Sequence, residues 1–155
     1  MSGVDNLVTV NIGRLSITVA GWEHPPQPEE GDDHSDWLNI IVEVDPVDYP
    51  DLPGTRIRSS GAWLTSRDFL SFSKALKALA AGLEPEASLS SAEGVLVVIC
   101  VAVPEKPGHF TVEAHVNAYG GDESHRYWLW LAAEELDYAR LQINNVVRRY
   151  PPSPV

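Results

Sequence analysis

The sequence predicts an α+β fold: a mainly antiparallel sheet of about six to seven strands, with one helix inserted mid-chain and one C-terminal helix packed on it. Apolar and polar residues alternate with a period of two over most of the chain, and two stretches follow helical spacing instead. The connections between predicted strands are short, and strands do not alternate strictly with helices. The 155 residues show no shift of composition and no internal sequence repeat, which predicts a single domain over residues 1–155.

The first part of the chain predicts three strands before any helix. The alternation that begins at Val8 resumes one step out of phase at Leu15, so we expect Gly13 at a bulge or tight turn within a bent first strand or strand pair. Residues 37–44 place alternate apolar side chains on one face and form the second predicted strand, and residues 55–64 form the third.

A proline-rich acidic segment, residues 23–36, separates the first two predicted strands. Its three prolines and its carboxylates accompany almost no large apolar side chain, so the segment has little to bury and is predicted to be a mobile loop. The C-terminal tail, residues 151–155, is expected to fray.

The residues after Thr65 predict the first helix. Thr65 or Ser66 is expected to cap it, because a side-chain oxygen there can accept a hydrogen bond from the first turn. Gly82 is expected to end it, since glycine readily adopts the left-handed conformation that closes many helices. The apolar positions recur at spacings of three and four: Phe69, Phe72, Leu76, Leu79 and Leu83.

Four strands and a second helix are predicted in the rest of the chain. Residues 87–90 form a short strand, and residues 95–103, apolar on both faces, are expected to be the central strand. Residues 110–119 alternate cleanly, and Gly120-Gly121 predicts the turn that leads into a last strand over 126–131.

Trp128 and Trp130 share one face of that last strand, and we expect them to pack under a helix. The final helix stops at Pro151, which cannot continue a helix. Its apolar stripe comprises Leu136, Ala139, Ile143, Val146, Val147 and Tyr150.

The chain is strongly acidic, with 11 Lys and Arg against 22 Asp and Glu and a net charge of −11. This charge repels the phosphates of nucleic acids and of anionic lipids, so neither is an expected ligand. No apolar run reaches the roughly 18 residues of a membrane span, and the first six residues lack the features of a signal peptide, so we expect a cytoplasmic protein. The lone cysteine, Cys100, lies in an apolar run and is expected in the core.

Few polar residues have the spacing of a metal-binding, cofactor-binding or catalytic site. Asp45, Asp48 and Asp51 recur every third residue, but prolines interrupt them and the Gly and terminal Glu of a calcium loop are missing. No metal site, cofactor site or activated nucleophile is predicted. A possible polar pocket, which could orient an imidazole for acid–base work, lies on the outward face of one strand: Glu113, His115 and Asn117.

Three acidic stretches are the candidate partner-binding residues, because carboxylates attract a basic protein over long distances. They lie in the proline-rich loop, in the loop after the second predicted strand and before the last helix: Glu29, Glu30, Asp32, Asp33, Asp45, Asp48, Asp51, Glu134, Glu135 and Asp137.

A set of landmarks resembles a known family. These are Asp36-Trp37-Leu38-Asn39-Ile40, then Trp63-Leu64-Thr65 followed by Asp68, Phe69, Phe72, Leu76 and Leu79, then valine-rich strands, and a last helix ending in Arg149-Tyr150-Pro151. From about Leu15 to Pro151 the chain resembles the WapI-type immunity proteins of bacterial polymorphic toxin systems. The resemblance implies a small cytoplasmic protein: either one that neutralises a toxin domain delivered by a neighbouring cell or encoded beside it, or a stand-alone relative of unknown role. It transfers no catalytic residues to this chain.

Three classes of function remain open. The first is a non-enzymatic immunity-like protein that binds a toxin, which the acidity, the missing chemistry and the resemblance all favour. The second is a homo-oligomeric or structural bacterial domain, which a mass above 17.0 kDa for the purified species would indicate. The third is a small ligand-binding protein or enzyme, which a deep pocket lined by Glu113, His115 and Asn117 would favour.

Overall fold

The computed structural model describes residues 7–24, 36–45, 57–91, 94–118 and 123–152. Within these ranges the chain forms eight strands and two helices, which confirms the α+β class with mainly antiparallel sheet. In chain order the elements are β1 (Val8–Ile12), β2 (Leu15–Trp22), β3 (Trp37–Val44), β4 (Ile57–Thr65), α1 (Ser66–Ala80), β5 (Glu86–Ser90), β6 (Leu96–Ala102), β7 (His109–Ala118), β8 (Glu123–Ala132) and α2 (Ala133–Arg149).

The strands form two four-stranded antiparallel sheets, in the orders β1-β2-β3-β4 and β5-β6-β7-β8. The prediction of one sheet of six to seven strands is therefore wrong. The physical reason lies in α1, which follows β4 directly and whose 15 residues carry the chain away from the first sheet. At about 1.5 Å per residue the helix spans roughly 22 Å, and the strand that follows it, β5, pairs with β6 and not with a strand of the first sheet.

The topology repeats although the sequence does not. Four antiparallel strands followed without a break by a helix occur twice, as β1–β4 with α1 and as β5–β8 with α2. The helices pack on each other, and each also packs on the first strand of the other half: α1 on β5 and α2 on β1. Each half is therefore covered by the helix of the other.

One hydrophobic core joins the inner faces of both sheets and the buried stripes of both helices. Alternation predicts the inner faces correctly, as in β7, where Phe110, Val112, Ala114 and Val116 are all buried. Strand β6 is an inner strand of its sheet, but only Leu96, Val98 and Cys100 face the core, and the residues between them are half-buried. The continuous apolar run thus still has an inner and an outer side.

The predicted feature at Gly13 is a tight turn between two separate strands. Ile12 pairs with Leu15 across a two-residue connection, and Gly13 has a φ of 61°, a conformation that costs glycine little. The turn contacts the second sheet, because a Cβ built on Gly13 would lie 3.7 Å from side-chain atoms of Leu129 and Leu131.

Helix α1 has the predicted start. The Thr65 hydroxyl accepts a hydrogen bond from the Asp68 N–H at 3.1 Å, and the Asp68 carboxylate accepts one from the Thr65 N–H at 2.9 Å. At the other end the Leu83 N–H donates to the Ala78 carbonyl at 2.9 Å and Gly82 has a φ of 74°. This ending turns the chain away from the helix, so the prediction that Leu83 extends the apolar stripe is wrong: its side chain is 77% exposed.

Helix α2 also matches its prediction and ends before Pro151. Of its predicted stripe, Leu136, Ala139, Ile143 and Val146 are buried. Tyr150 follows the helix and packs edge-on against Trp22 of β2, with ring centroids 5.4 Å apart. Its carbonyl accepts a hydrogen bond from the buried Ser66 hydroxyl, which ties the end of α2 to the start of α1.

Most of the predicted mobile loop 23–36 and the end of the predicted frayed tail lie outside the described residues. The two ends of the loop are described, and they meet: the Glu23 N–H donates to the Trp37 carbonyl at 2.9 Å. Asp36, the last loop residue, is buried.

Replacing Leu76 by alanine is expected to destabilise the protein by about 2–5 kcal/mol, because it removes a fully buried side chain and leaves a cavity between α1 and the core. Urea unfolding of the variant and of the natural protein measures the change. The exposed residue Lys77, one position later on α1, provides the matched control as Lys77→Ala. A loss below about 1 kcal/mol for Leu76→Ala would contradict its place in the core.

The thiol of Cys100 is expected to resist modification in the folded protein. Burial raises the pKa of Cys100 from 9.0 to about 12, so the reactive thiolate is scarce at pH 8. A colorimetric thiol reagent should react slowly with the native protein and at once in denaturant. Because the folded pKa lies above the unfolded one, stability owed to this group should persist below pH 9 and fall as the pH rises toward 12. Rapid labelling of the native protein at pH 8 would contradict this placement.

Candidate functional site

The two sheets differ on their outer faces, although their topology is the same. On the first sheet, polar side chains are hydrogen-bonded to one another: Thr9 lies 3.0 Å from Thr18, and the Ser16 hydroxyl donates to the Asn11 side chain at 3.0 Å. On the outer face of the second sheet, β6 carries half-buried Val97 and Ile99, and β8, on the other side of β7, carries two tryptophans. Among the described strands, the exposed large apolar side chains lie on the second sheet.

Trp128 and Trp130 lie on this outer face and are 61% and 71% exposed. The prediction that they pack under a helix is wrong. Leu129 and Leu131 occupy the alternate positions of β8, and these leucines face the core instead. Large apolar side chains at this exposure are a typical feature of protein-binding surfaces, where tryptophan is enriched among residues that dominate affinity.

A polar cluster lies next to the tryptophans. The Glu113 carboxylate accepts from His115 Nε2 at 2.8 Å and lies 3.3 Å from Arg126 Nε. Register explains the cluster, because Glu113 lies opposite Trp128 and His115 opposite Arg126 on neighbouring strands. Two of the three predicted pocket residues thus come together, on an open sheet face.

Asn117 does not join that cluster. Its side-chain amide donates to the Gly94 carbonyl at 2.7 Å and ties β7 to the residues before β6. Arg126, which completes the cluster, is absent from the sequence prediction. The sequence could have predicted its position. A two-residue turn assumed at Gly120-Gly121 would place residue 115 opposite residue 126, and this is the register observed between β7 and β8.

A second feature is a groove along the β1–β2 turn. It consists of two adjoining depressions, of about 440 Å³ and 260 Å³, which share Gly13 and Glu135. We call it the aromatic groove and define it by Gly13, Arg14, Trp128, Trp130, Glu134, Glu135 and Tyr138. Tyr138 is 60% exposed, so aromatic side chains stand at both ends of the groove.

The charges of the groove have specific neighbours. Arg14 Nη1 donates to the Asp45 carbonyl at 2.9 Å, which holds the guanidinium beside the turn. Burial raises the pKa of Tyr127 on β8, and the positive charge of Arg14 acts in the opposite direction. The Glu135 carboxylate accepts from the Ala132 N–H at 3.1 Å through its Oε1 atom and so caps α2.

The acidic residues predicted before the last helix lie within it. Glu134, Glu135 and Asp137 are exposed in the first two turns of α2, because the chain enters the helix directly from β8 at Ala133. Carboxylates there face the positive end of the helix dipole, which stabilises the helix. Asp137 also pairs with Arg140 at 3.3 Å.

The other predicted partner-binding carboxylates are only partly described. Asp45 is exposed at the end of β3, and its N–H donates to the Arg14 carbonyl at 3.0 Å. The remaining ones lie outside the described residues: Glu29, Glu30, Asp32, Asp33, Asp48 and Asp51.

The described residues contain no group of three or more His, Cys, Asp or Glu side chains placed to hold a metal ion. Neither described helix combines the length and apolar character that crossing a membrane requires.

Comparisons with known proteins supply the family. A chain from a study described as "Crystal structures of trypanosoma bruciei MRP1/MRP2" is similar at 12% identity and a TM-score of 0.48, over 92% of this chain and 82% of that one. No curated protein matches. The profile of the Immunity protein WapI-like family matches residues 8–151, from the first strand to the residue after Tyr150. The chain belongs to the WapI-like immunity protein family.

Proposed function

We propose that this protein neutralises a bacterial toxin domain by direct protein–protein contact and catalyses no reaction. The observation that carries the proposal is the family match, which spans residues 8–151 and so includes both sheets and both helices. Two exposed tryptophans at consecutive outward positions of β8 add a surface suited to binding a protein. The contact takes place in the cytoplasm, where a toxin of a polymorphic system would threaten the cell that makes it.

The polar groups of the described chain support a binding protein rather than an enzyme. The Glu113 carboxylate holds both His115 and Arg126, so it serves as an ion-pair partner on an open face. A general base usually works inside a concave site that excludes water, and here Arg126, which pairs with Glu113, is exposed to solvent. Cys100 is buried and protonated, which removes the one thiol as a nucleophile.

Charge supports a basic partner. The net charge of −11 creates a long-range field that attracts a positively charged protein and repels nucleic acid. Glu135 lines the same depression as Trp128 and Trp130, and Glu134 and Asp137 are exposed in the same first two turns of α2. Attraction of this kind raises the rate of association more than it lowers the rate of dissociation.

Neutralising the carboxylates at the start of α2 is expected to slow association with a toxin domain encoded by a neighbouring gene. The triple variant Glu134→Gln, Glu135→Gln and Asp137→Asn keeps an amide oxygen that can cap α2, so the fold should persist. We expect an on-rate lower by about three- to tenfold at low salt, a flatter salt dependence and a nearly unchanged off-rate. Stopped-flow or surface-plasmon measurements over a salt series provide these rates.

The matched control removes the same charge elsewhere. Glu84, Glu86 and Glu105 are exposed and lie outside the aromatic groove, so replacing all three by glutamine changes the net charge equally. This control variant should lower the on-rate less than the triple variant of α2 does. An on-rate of the natural protein that does not depend on salt would contradict electrostatic attraction, and a neighbouring toxin domain that does not bind would contradict the proposed function.

A further inference from the structure

We propose that the aromatic groove binds an arginine- or lysine-bearing segment of the toxin domain, with a cationic side chain stacked on Trp128 or Trp130 and paired with the carboxylates at the start of α2. The inference rests on the proposed function, since it names the surface and the chemistry of the partner. Its experiments separate the failure of the surface from the failure of the function.

The tryptophans supply the first half of the argument. Their side chains remain 61% and 71% exposed, while the alternate residues of the same strand are buried in the core. An indole face attracts a guanidinium or ammonium group within about 6 Å of the ring centroid. An exposed pair on consecutive outward positions therefore offers two such faces side by side.

The carboxylates supply the second half. Within the described part of the chain, Glu134 forms no ion pair, and Glu135 uses its Oε1 atom for the cap of α2 and keeps Oε2 available. Arg14 is the one cation of the groove as defined, and its Nη1 already donates to the Asp45 carbonyl at 2.9 Å. Two carboxylates against one engaged guanidinium leave the groove negative, which favours a cationic occupant.

The shape of the groove indicates an extended segment. Its two depressions share Gly13 and Glu135, so a ligand can run from the tryptophans past the acidic start of α2 to Tyr138. Each depression combines an aromatic side chain with at least one carboxylate in its lining. The cationic side chains of such a segment can stack on the aromatic rings and pair with the carboxylates.

Charge also decides against a second copy of this chain as the occupant. Each copy carries a net charge of −11, so bringing two acidic grooves together would add like charges in one interface. Arg126, two residues before Trp128 on the same strand, is paired with Glu113 at 3.3 Å on its own sheet.

The first experiment measures affinity for a toxin domain encoded by a neighbouring gene. The double variant Trp128→Ala and Trp130→Ala should weaken binding by about 30-fold or more, the loss typical of residues that dominate an interface. Leu83→Ser is the control, because Leu83 is an equally exposed apolar residue outside the groove, and it should leave affinity within about twofold. Circular dichroism and thermal unfolding verify that both variants are folded.

The results separate the two proposals. If the natural protein binds the toxin and the double variant binds equally well, the groove is not the interface and the proposed function stands. If the natural protein does not bind, the proposed function fails. If the natural protein dimerises in sedimentation and the double variant is monomeric, a second copy occupies the groove and this inference is overturned.

The second experiment tests the chemistry of the occupant without the toxin. A tetra-arginine peptide is titrated into the protein, and the indole N–H signals of the five tryptophans are followed by NMR. The Trp128 and Trp130 signals should shift at millimolar peptide, and the Trp63 signal should not. Glu134→Gln with Glu135→Gln should reduce the shift at least threefold, and a tetra-glutamine peptide should produce none. Equal shifts of all indole signals, or no shift at all, would overturn a cation-binding groove.

Discussion

The structure depends on the reciprocal burial of its two helices. Each four-stranded sheet has an apolar inner face, and the helix that follows it packs on the other helix and on the first strand of the other sheet: α1 on β5 and α2 on β1. Neither half could keep its inner face from water without the helix of the other half. The halves are therefore expected to fold as one cooperative unit, joined at the contact between α1 and α2.

The same arrangement protects two sheet edges. Strands β1 and β5 are edge strands by strand order, and each is covered by a helix. At β1 the cover includes a specific bond, because the Asn11 N–H donates to the Gln142 side chain of α2 at 2.8 Å. An exposed edge can pair with another chain, so this cover reduces the risk of aggregation.

Much of the fold was predictable because local signals agree with the tertiary structure. Thr65 and Asp68 form the cap that their spacing predicts, Gly82 ends α1, and Pro151 follows the end of α2. Alternation identified the inner face of β7 without error among its described side chains. The division into two sheets was not predictable from these patterns, since they determine which residues form a strand but not which strands become neighbours.

The candidate site was harder to predict for a related reason. Strand β8 is apolar on both faces, with leucines on one side and tryptophans on the other, so alternation groups Trp128 with Trp130 but does not say which group faces water. Glu113 and His115 were found because their own strand alternates cleanly between apolar and polar positions. Placing Arg126 beside them required the register between β7 and β8, which alternation within one strand does not give.

The pairing of the residues on either side of the 25–35 segment has an evolutionary consequence. The β2–β3 pair and the hydrogen bond from Glu23 to Trp37 bring the two ends of this segment together independently of its length. The entropic cost of closing a flexible loop rises by only about 0.6 kcal/mol for each doubling of its length. Insertions and deletions between these ends are thus inexpensive, and homologues can diverge there in length and charge while the paired strands below stay the same.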